Sequence, residues 1–434
     1  MTKYESFREL TDSWKNNSAS AVIYASGDDK VILTYKNLYD QITQAEPRSE
    51  IIRADHSPDT IVRIFADVIG GNDIVLIDEN IPESTEAQIR EAFLPLLPLS
   101  GRRSGSAKDD TQSDGEGRLL FFTSGTTSRS RAVVLSTKAL LAGTWGGQSM
   151  LPCGRRDIIL CALPISHIFG FVCGLLWGLC YGARVALSRG PQHLTDDCRY
   201  FHPTAIPAVP SMADLFIRTG ALNRELQVIL IGAAVPSKET LQALQLRGVK
   251  AYTGYGLTET SSGLAITQDL SDPLAMTVCP GADLKIAPDG EILVMTDALM
   301  DGYLDPTNGS LELPLTDGRF LTGDLGRIDE RGVLRVTGRK KDILMLPDGN
   351  KVFCPEYESF LTQELASGEL CVILDDGRPA LVYSDRIERH AVEKAVQTLN
   401  RRYPRSRQIA TLIPREGMLP RTPTGKIMRW VLER

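Results

Sequence analysis

The sequence has little of what marks a nucleic-acid or membrane-surface protein. Its 48 Lys and Arg residues are outnumbered by 54 Asp and Glu, which leaves a net charge of −6. Because nucleic acids and anionic lipids are held by clustered positive charge, we expect neither as the main partner and favour a small molecule. The polar N-terminus shows no apolar segment or cleavage-like site, which predicts a cytoplasmic protein.

Cysteine pairs and long hydrophobic runs are also missing. Eight cysteines are spread along the chain without a C-x-x-C pair, so we expect reduced core residues rather than metal ligands or disulfides. The most apolar run, IFGFVCGLLWGLCYG at residues 168–182, is shorter than the roughly 20 residues that a membrane-spanning helix needs. It predicts a buried helix and no integral membrane segment.

What the sequence does contain is a regular alternation of strands and helices. Between residues 119 and 267, short apolar runs such as DIILCALP and LQVILIG are each followed by a helical pattern. That alternation is typical of β-α units around a parallel sheet. After Pro280 the stretch DLKIAPDGEILVMT predicts an antiparallel hairpin, because its Pro-Asp-Gly segment favours a turn.

A second change of pattern begins at Gly338, where a charged GRKKD is followed by a hairpin about PDGN and then by two strand-helix alternations. The chain also exceeds the roughly 250–300 residues that one core supports. The sequence therefore predicts an α/β protein of two domains. Residues 1–337 would form a large N-terminal domain of parallel α/β sheets with an antiparallel β subdomain, and residues 338–434 a small α+β domain.

One loop stands out for its chemistry. The sequence TSGTTSRSR, residues 123–131, follows the apolar run LLFF and is crowded with hydroxyl, glycine and arginine residues. Hydroxyls and backbone amides in such a turn can surround phosphate oxygens, although neither G-x-x-x-x-G-K-[ST] nor G-x-G-x-x-G is present. From the loop alone, phosphate binding and an ordinary surface turn are equally open.

Four further motifs follow this loop in order: GYGLTET, FLTGD, GRKKDILMLPDGNKVFCPEYE and PRTPTGKIMR. Together the five resemble the motifs of the adenylate-forming superfamily, which includes acyl-CoA synthetases, peptide-synthetase adenylation domains and luciferases. The resemblance extends over nearly the whole chain. It implies an enzyme that uses ATP and Mg²⁺ to convert a small carboxylic acid into acyl-AMP with release of pyrophosphate, and that then transfers the acyl group to a thiol.

The resemblance assigns the nucleotide to five parts of the chain. Tyr255 would lie against the adenine, and Gly256 would let the backbone approach the ligand. Asp324 would accept hydrogen bonds from the ribose hydroxyls, and Arg339 would reach the ribose and phosphates. The small residues of IGAAVP would form the adenine wall, and they are Gly232, Ala233 and Ala234. The loop would hold the β- and γ-phosphates, and its matching residues are Thr123, Ser124, Gly125, Thr126, Thr127 and Arg131.

The remaining assignments concern the reacting groups. By resemblance, Thr258 contacts the α-phosphate and Glu259 coordinates Mg²⁺, which prefers carboxylate and phosphate oxygens. Lys426 would bridge the carboxylate and the α-phosphate, and Lys341 would be the hinge about which a mobile C-terminal domain turns. His167, in LPISHIFGF, resembles a residue of the carboxylate pocket, although a histidine beside an apolar helix can also be a core residue. In the basic run GRKKD, which also contains Arg339 and Lys341, we expect Lys340 to be a solvated side chain.

The identity of the acid and of the thiol is less determined. The hinge sequence looks more like that of fatty-acyl ligases than that of aryl-acid or amino-acid activating domains, and the N-terminal region looks shortened. The acceptor is CoA or the phosphopantetheine of an acyl carrier protein, with CoA preferred. Alternatives are an acyl or aryl acid ligase that loads a carrier protein, and a non-catalytic nucleotide-binding relative. Lys426 argues against the last, because a protein that only binds nucleotide has no use for it.

Overall fold

The computed structural model describes residues 2–48, 51–97, 99, 115–122, 132–421 and 427–432. These residues form two large sheets covered by helices and two small sheets near the C-terminus, which confirms the predicted α/β architecture. Within the described ranges, no helix combines the length and the apolar character needed to cross a membrane. All eight cysteines are free, and six of them are buried, as expected for reduced core residues.

The helices, with short 3₁₀ turns between some of them, mostly cover the faces of the sheets. In chain order they are α1 (Phe7–Asp12), α2 (Tyr35–Gln44), α3 (Pro58–Ile69), α4 (Glu83–Phe93), α5 (Thr137–Met150), α6 (Trp177–Tyr181), α7 (Leu194–Phe201), α8 (Pro210–Thr219), α9 (Lys238–Leu246), α10 (Cys354–Leu365), α11 (Arg389–Asn400) and α12 (Arg429–Leu432). A π-helical segment, Gly170–Leu176, runs directly into α6. The 3₁₀ turns are Leu94–Leu96, Pro191–His193, Thr258–Thr260, Lys340–Asp342 and Arg405–Arg407.

The strands are short. In chain order they are β1 (Ser20–Ser26), β2 (Asp29–Thr34), β3 (Ile51–Ala54), β4 (Ile74–Asp78), β5 (Arg118–Phe122), β6 (Ala132–Ser136), β7 (Ile158–Cys161), β8 (Arg184–Leu187), β9 (Ala205–Ala208), β10 (Val228–Ile231), β11 (Lys250–Tyr255), β12 (Ala265–Thr267), β13 (Met276–Val278), β14 (Ala282–Ile286), β15 (Glu291–Thr296), β16 (Gly302–Leu304), β17 (Leu311–Glu312), β18 (Leu315–Thr316), β19 (Arg319–Ile328), β20 (Val333–Arg339), β21 (Ile343–Met345), β22 (Lys351–Phe353), β23 (Leu370–Asp375), β24 (Arg378–Ser384) and β25 (Thr411–Arg415).

The larger sheet joins a parallel and an antiparallel half. Its strand order is β14-β15-β19-β20-β13-β12-β11-β10-β9-β7-β8-β1-β2, with β18 beside β19. Strands β7 to β11 pair in parallel, which confirms the predicted β-α units. Most of their residues are buried, because helices cover parallel sheets on both faces.

The antiparallel half begins where β11 pairs with β12. The predicted hairpin is present as β14 and β15, and its turn ends at Gly290, whose φ of 93° lies in the left-handed region that favours glycine. The second sheet has the order β17-β16-β6-β5-β4-β3. Strands β5 and β6 flank residues 123–131, so the predicted phosphate loop lies outside the described residues.

The predicted buried helix over 168–182 is present, but its first part is wound as a π-helix. Its glycines bring it close to the sheet and to the segment that follows β7. A Cβ at Gly170 would lie 2.2 Å from the Pro164 carbonyl oxygen, and one at Gly178 would lie 2.6 Å from Val185. The segment ends at Gly182, which has a left-handed φ of 79°.

The C-terminal elements have an apolar core of their own. The chain leaves β20 at Arg339, passes through the Lys340–Asp342 turn and enters the predicted hairpin of β21 and β22. The sheet of β23, β24 and β25 packs through β23 against α10, and α11 packs against α10. Side chains such as Tyr357 and Val372 form a cluster separate from the cores of the larger sheets.

Candidate active site

A cavity of about 1000 Å³ lies between the two large sheets and the C-terminal elements. Most of the predicted site residues that the structure describes line it: His167, Gly232, Ala233, Tyr255, Gly256, Thr258, Glu259, Arg339 and Lys341. Ala234 is exposed and is not among the lining residues. Lys426 and residues 123–131 lie outside the described residues.

Asp324 lies behind the wall of the cavity, where it contacts two lining residues. Its residue surface is 3% exposed. The Tyr255 hydroxyl donates to Asp324 Oδ2 over 3.0 Å, and Arg339 Nε lies 2.9 Å from Asp324 Oδ1. The β19–β20 pairing places Asp324 directly opposite Arg339. Three residues that are far apart in the sequence motifs therefore form one hydrogen-bonded group.

Burial changes the ionisation of this group. Desolvation raises the pKa of the Asp324 carboxyl above its ordinary value, and the Arg339 charge and the Tyr255 hydrogen bond only partly offset it. Burial also raises the pKa of the Tyr255 phenol, with the Asp324 charge adding to the effect. Tyr255 is therefore a neutral hydrogen-bond donor near pH 7.

The tight turn after β11 presents Thr258 and Glu259 to the cavity. A Cβ at Gly256 would lie only 1.2 Å from the Ser262 carbonyl oxygen, so glycine is required here by the fold of the turn itself, in addition to any approach of a ligand. Ser261 and Ser262 both have left-handed φ values, 49° and 82°, which closes the turn.

Glu259 is held in place by a residue that the motifs do not include. The Tyr303 hydroxyl, on β16 of the second sheet, donates to Glu259 Oε1 over 2.6 Å. Glu259 itself lines the cavity, so its carboxylate can meet a ligand there. The described residues contain no group of three His, Cys, Asp or Glu residues that could hold a metal.

Among the described residues, those that line the inner end of the cavity are uncharged. This end is lined by α5, the π-helical segment, the start of α6 and β10, through Gly143, Thr144, Gly147, Leu151, Ile168, Phe169, Val172, Cys173, Trp177 and Leu230. A Cβ at Gly147 would meet no atom within 4 Å. An apolar ligand group can therefore occupy this end without leaving a buried charge unpaired.

The indole of Trp177 has its N–H group satisfied within the protein. Its Nε1 donates to Gln148 Oε1 over 2.7 Å, and the Gln148 side chain makes two further hydrogen bonds to the Cys153 backbone. The indole ring is thereby fixed, and it offers the cavity an apolar surface.

His167 also lines the cavity. Burial lowers the pKa of its imidazole below the ordinary value, although the nearby Asp78 carboxylate acts in the opposite direction. The side chain is therefore neutral near pH 7 and can donate or accept a hydrogen bond.

Lys340 is exposed, as expected of a solvated side chain, but it is also ion-paired. Its ammonium lies 2.7 Å from Asp289 Oδ2 and 2.8 Å from Glu291 Oε2. These two carboxylates belong to the β14–β15 hairpin, about fifty residues earlier in the chain, so a local sequence pattern gives no sign of the pairing.

The fold and cavity define an adenylate-forming enzyme. A model of the AMP-binding enzyme family matches residues 16–304, and the chain belongs to this family. The match confirms the predicted superfamily.

Similarity to individual proteins agrees with this assignment. The chain is 29% identical to a 2-succinylbenzoate-CoA ligase of Listeria monocytogenes over 329 residues, which cover 71% of this chain and 68% of the relative. It is 26% identical to a medium-chain fatty-acid-CoA ligase of Escherichia coli over 346 residues, 73% of this chain and 60% of the relative. The predicted enzyme class, an acid-thiol ligase, is confirmed.

The fold resembles that of o-succinylbenzoate CoA synthetase from Bacillus subtilis. The structure in complex with its acyl-adenylate intermediate has a TM-score of 0.79 at 20% identity, covering 100% of this chain and 98% of that one. The structure of the same synthetase with ATP and a magnesium ion has a TM-score of 0.77 at 19% identity, covering 97% and 98%. At this identity the likeness shows a shared fold.

Proposed function

We propose that the protein activates a carboxylic acid with ATP and transfers it to CoA. In the first step a carboxylate oxygen attacks the α-phosphorus of ATP, and the bond to pyrophosphate breaks, which yields acyl-AMP. In the second step the thiol of CoA, having lost its proton, attacks the acyl carbonyl carbon and AMP leaves. The observation that carries the proposal is one cavity with a polar end at Tyr255, Thr258 and Glu259 and an uncharged inner end.

The polar end has the groups that a nucleotide requires. Asp324 can accept hydrogen bonds from both ribose hydroxyls, because a carboxylate has several acceptor positions. Tyr255 offers a flat ring for the adenine, with Gly232 and Ala233 beside it, and Arg339 supplies positive charge near the phosphates. The main task is to position two anionic reactants and to stabilise developing charge, so no nucleophilic side chain is needed.

Glu259 fits the role of a magnesium ligand. Mg²⁺ is commonly bound by one or two carboxylates together with substrate phosphates and water, so a single oriented carboxylate suffices. Tyr303 holds one oxygen of Glu259, and Glu259 lines the cavity. When bound, the ion would neutralise phosphate charge. Thr258, on the same turn, would donate to the α-phosphate.

Three assignments come from the sequence motifs. Residues 123–131 would surround the β- and γ-phosphates, and Lys426 would bridge the two reacting groups during adenylation. Residues 1–337 and 338–434 would form two domains that turn about Lys341 between the half-reactions. Lys341 lines the cavity just after the Lys340 ion pairs, which supports a pivot at this point.

For the acid we propose a monocarboxylate with a compact apolar body, such as an aryl or bicyclic group. Trp177, Leu151 and Leu230 line the inner end, and the described residues there include no charged side chain that could receive a second carboxylate. His167 would face the carboxylate side. CoA is the proposed acceptor because the relatives described above are named as CoA ligases.

The test is a product assay over a panel of aryl, bicyclic, medium-chain and long-chain acids, together with aromatic dicarboxylates. Purified protein with ATP, Mg²⁺ and CoA should form AMP, pyrophosphate and thioester in equal amounts, fastest with compact apolar monocarboxylates. Tight ATP binding without acid-dependent AMP formation for any acid would instead identify a non-catalytic nucleotide-binding relative. Thioester formation on a phosphopantetheinylated carrier protein, with none on CoA, would reject CoA as the acceptor.

A further inference from the structure

Consecutive basic residues at the end of β20 reach separate carboxylates on neighbouring strands. Arg339 pairs with Asp324 of β19. The next residue, Lys340, pairs with Glu291 of β15 and with Asp289 in the preceding turn. The Glu291 side chain is 4% exposed, whereas that of Lys340 is 51% exposed.

The second oxygen of Glu291 holds the segment that carries Asp324. Leu293 of β15 pairs with Leu321 of β19, and Glu291 pairs with Leu325. Between these two pairs β19 is two residues longer than β15, and the extra residues form a bulge. Within it, Gly323 has a left-handed φ of 70°. Its amide donates to Glu291 Oε1 over 2.8 Å. This bond replaces the hydrogen bond to the neighbouring strand that a residue in a bulge loses.

We propose that Glu291 and Lys340 are positioning residues for nucleotide binding. The Glu291 carboxylate holds the bulge in place, and the bulge sets the position of Asp324. The ammonium of Lys340, the residue before Lys341, in turn holds the Glu291 carboxylate. A buried carboxylate that loses its counter-charge is destabilised. Without Lys340, Glu291 would turn towards water, release the Gly323 amide and let Asp324 shift. The inference rests on the proposed ribose contact of Asp324.

The test compares ATP with 2′,3′-dideoxy-ATP, which lacks both ribose hydroxyls, by calorimetry on the full-length protein. Lys340→Met should weaken ATP binding about tenfold, the size of one lost charge-assisted hydrogen bond, and should change dideoxy-ATP binding less than about twofold. Lys340→Arg should restore most of the ATP affinity. Lys285→Met is the matched control, because Lys285 is an exposed residue of the same hairpin, and it should bind both nucleotides like the wild type. Thermal melts check folding.

Asp324→Ala, measured in parallel, separates this inference from the proposed function. Suppose that Asp324→Ala weakens the binding of ATP but not that of dideoxy-ATP. If Lys340→Met then leaves the binding of both nucleotides unchanged, or weakens both equally, the positioning role is overturned and the ribose contact stands. If Asp324→Ala itself fails to distinguish ATP from dideoxy-ATP, the ribose contact is wrong and the inference falls with it.

Discussion

The hydroxyl of Tyr255 donates to Asp324 Oδ2 across 69 residues of sequence, over 3.0 Å. With Arg339 on the other oxygen, this bond fixes the direction of a buried carboxylate before any ligand arrives. A site prepared in this way loses little ordering entropy when the ribose binds. The predictions below test this arrangement and the rest of the cavity.

Replacing Asp324 should weaken ATP binding without unfolding the protein. Asp324→Ala removes two charge-assisted hydrogen bonds to the ribose, each worth about 1.5–3 kcal/mol, so calorimetry should show a loss of affinity of at least about tenfold. Asp28→Ala is the control, since Asp28 lies in the exposed β1–β2 turn. Unchanged ATP affinity in Asp324→Ala would remove this residue from the site.

Acid should weaken ATP binding through the same carboxyl. The pKa of Asp324 is raised by burial, and only the ionised form accepts from both ribose hydroxyls. ATP affinity should therefore fall as the pH drops through this raised pKa, at a higher pH than for an ordinary aspartate. Asp324→Asn should lack this component of the pH profile. Identical profiles for the two proteins, each corrected for ATP protonation, would contradict the assignment.

Glu259→Gln should impair magnesium-dependent adenylation more than folding. The amide keeps the size of the side chain and can still accept from Tyr303, but it is a much poorer Mg²⁺ ligand. We expect a lower kcat and a shift of the Mg²⁺ titration to higher concentration. Tyr303→Phe should show a smaller effect in the same direction, because it removes the bond that orients Glu259 but keeps the carboxylate. Full turnover of Glu259→Gln at ordinary Mg²⁺ would exclude the role.

Gly147 should set how large an acid the inner end accepts. A side chain there meets open space, so Gly147→Leu should fold normally and fill part of the cavity. The rate of adenylation should fall for large acids and be retained for the smallest one, measured as a ratio of kcat/KM values. Gly154→Leu, at an open position outside the cavity, should leave that ratio unchanged. An unaltered ratio in Gly147→Leu would show that the acid binds elsewhere.

Contiguous features of this protein could be predicted from the sequence. The β-α units, the hairpin with its Pro-Asp-Gly turn and the hairpin about PDGN depend on local periodicity and turn chemistry, which adjacent residues carry. The π-helical winding of Gly170–Leu176 was not predicted, because it depends on glycines that approach neighbouring backbone rather than on a period.

The partners of the site residues could not be predicted in this way. Tyr303 meets Glu259 across two sheets, and Glu291 meets both Gly323 and Lys340. Each contact requires knowledge of strand order, which a single sequence does not encode in any short pattern. The Lys340 side chain illustrates the point, since a basic run is usually solvated and only the fold brings Asp289 and Glu291 within reach of its ammonium.

The most direct test of the central claim is isotope exchange between pyrophosphate and ATP, measured without CoA. The account predicts exchange that depends on both an apolar carboxylic acid and Mg²⁺, and that is reduced severely in Lys426→Ala while ATP binding persists. Exchange of this kind reports reversible formation of acyl-AMP and nothing later. Absence of acid-dependent exchange in the folded wild-type protein, across the whole panel of acids, would contradict the account.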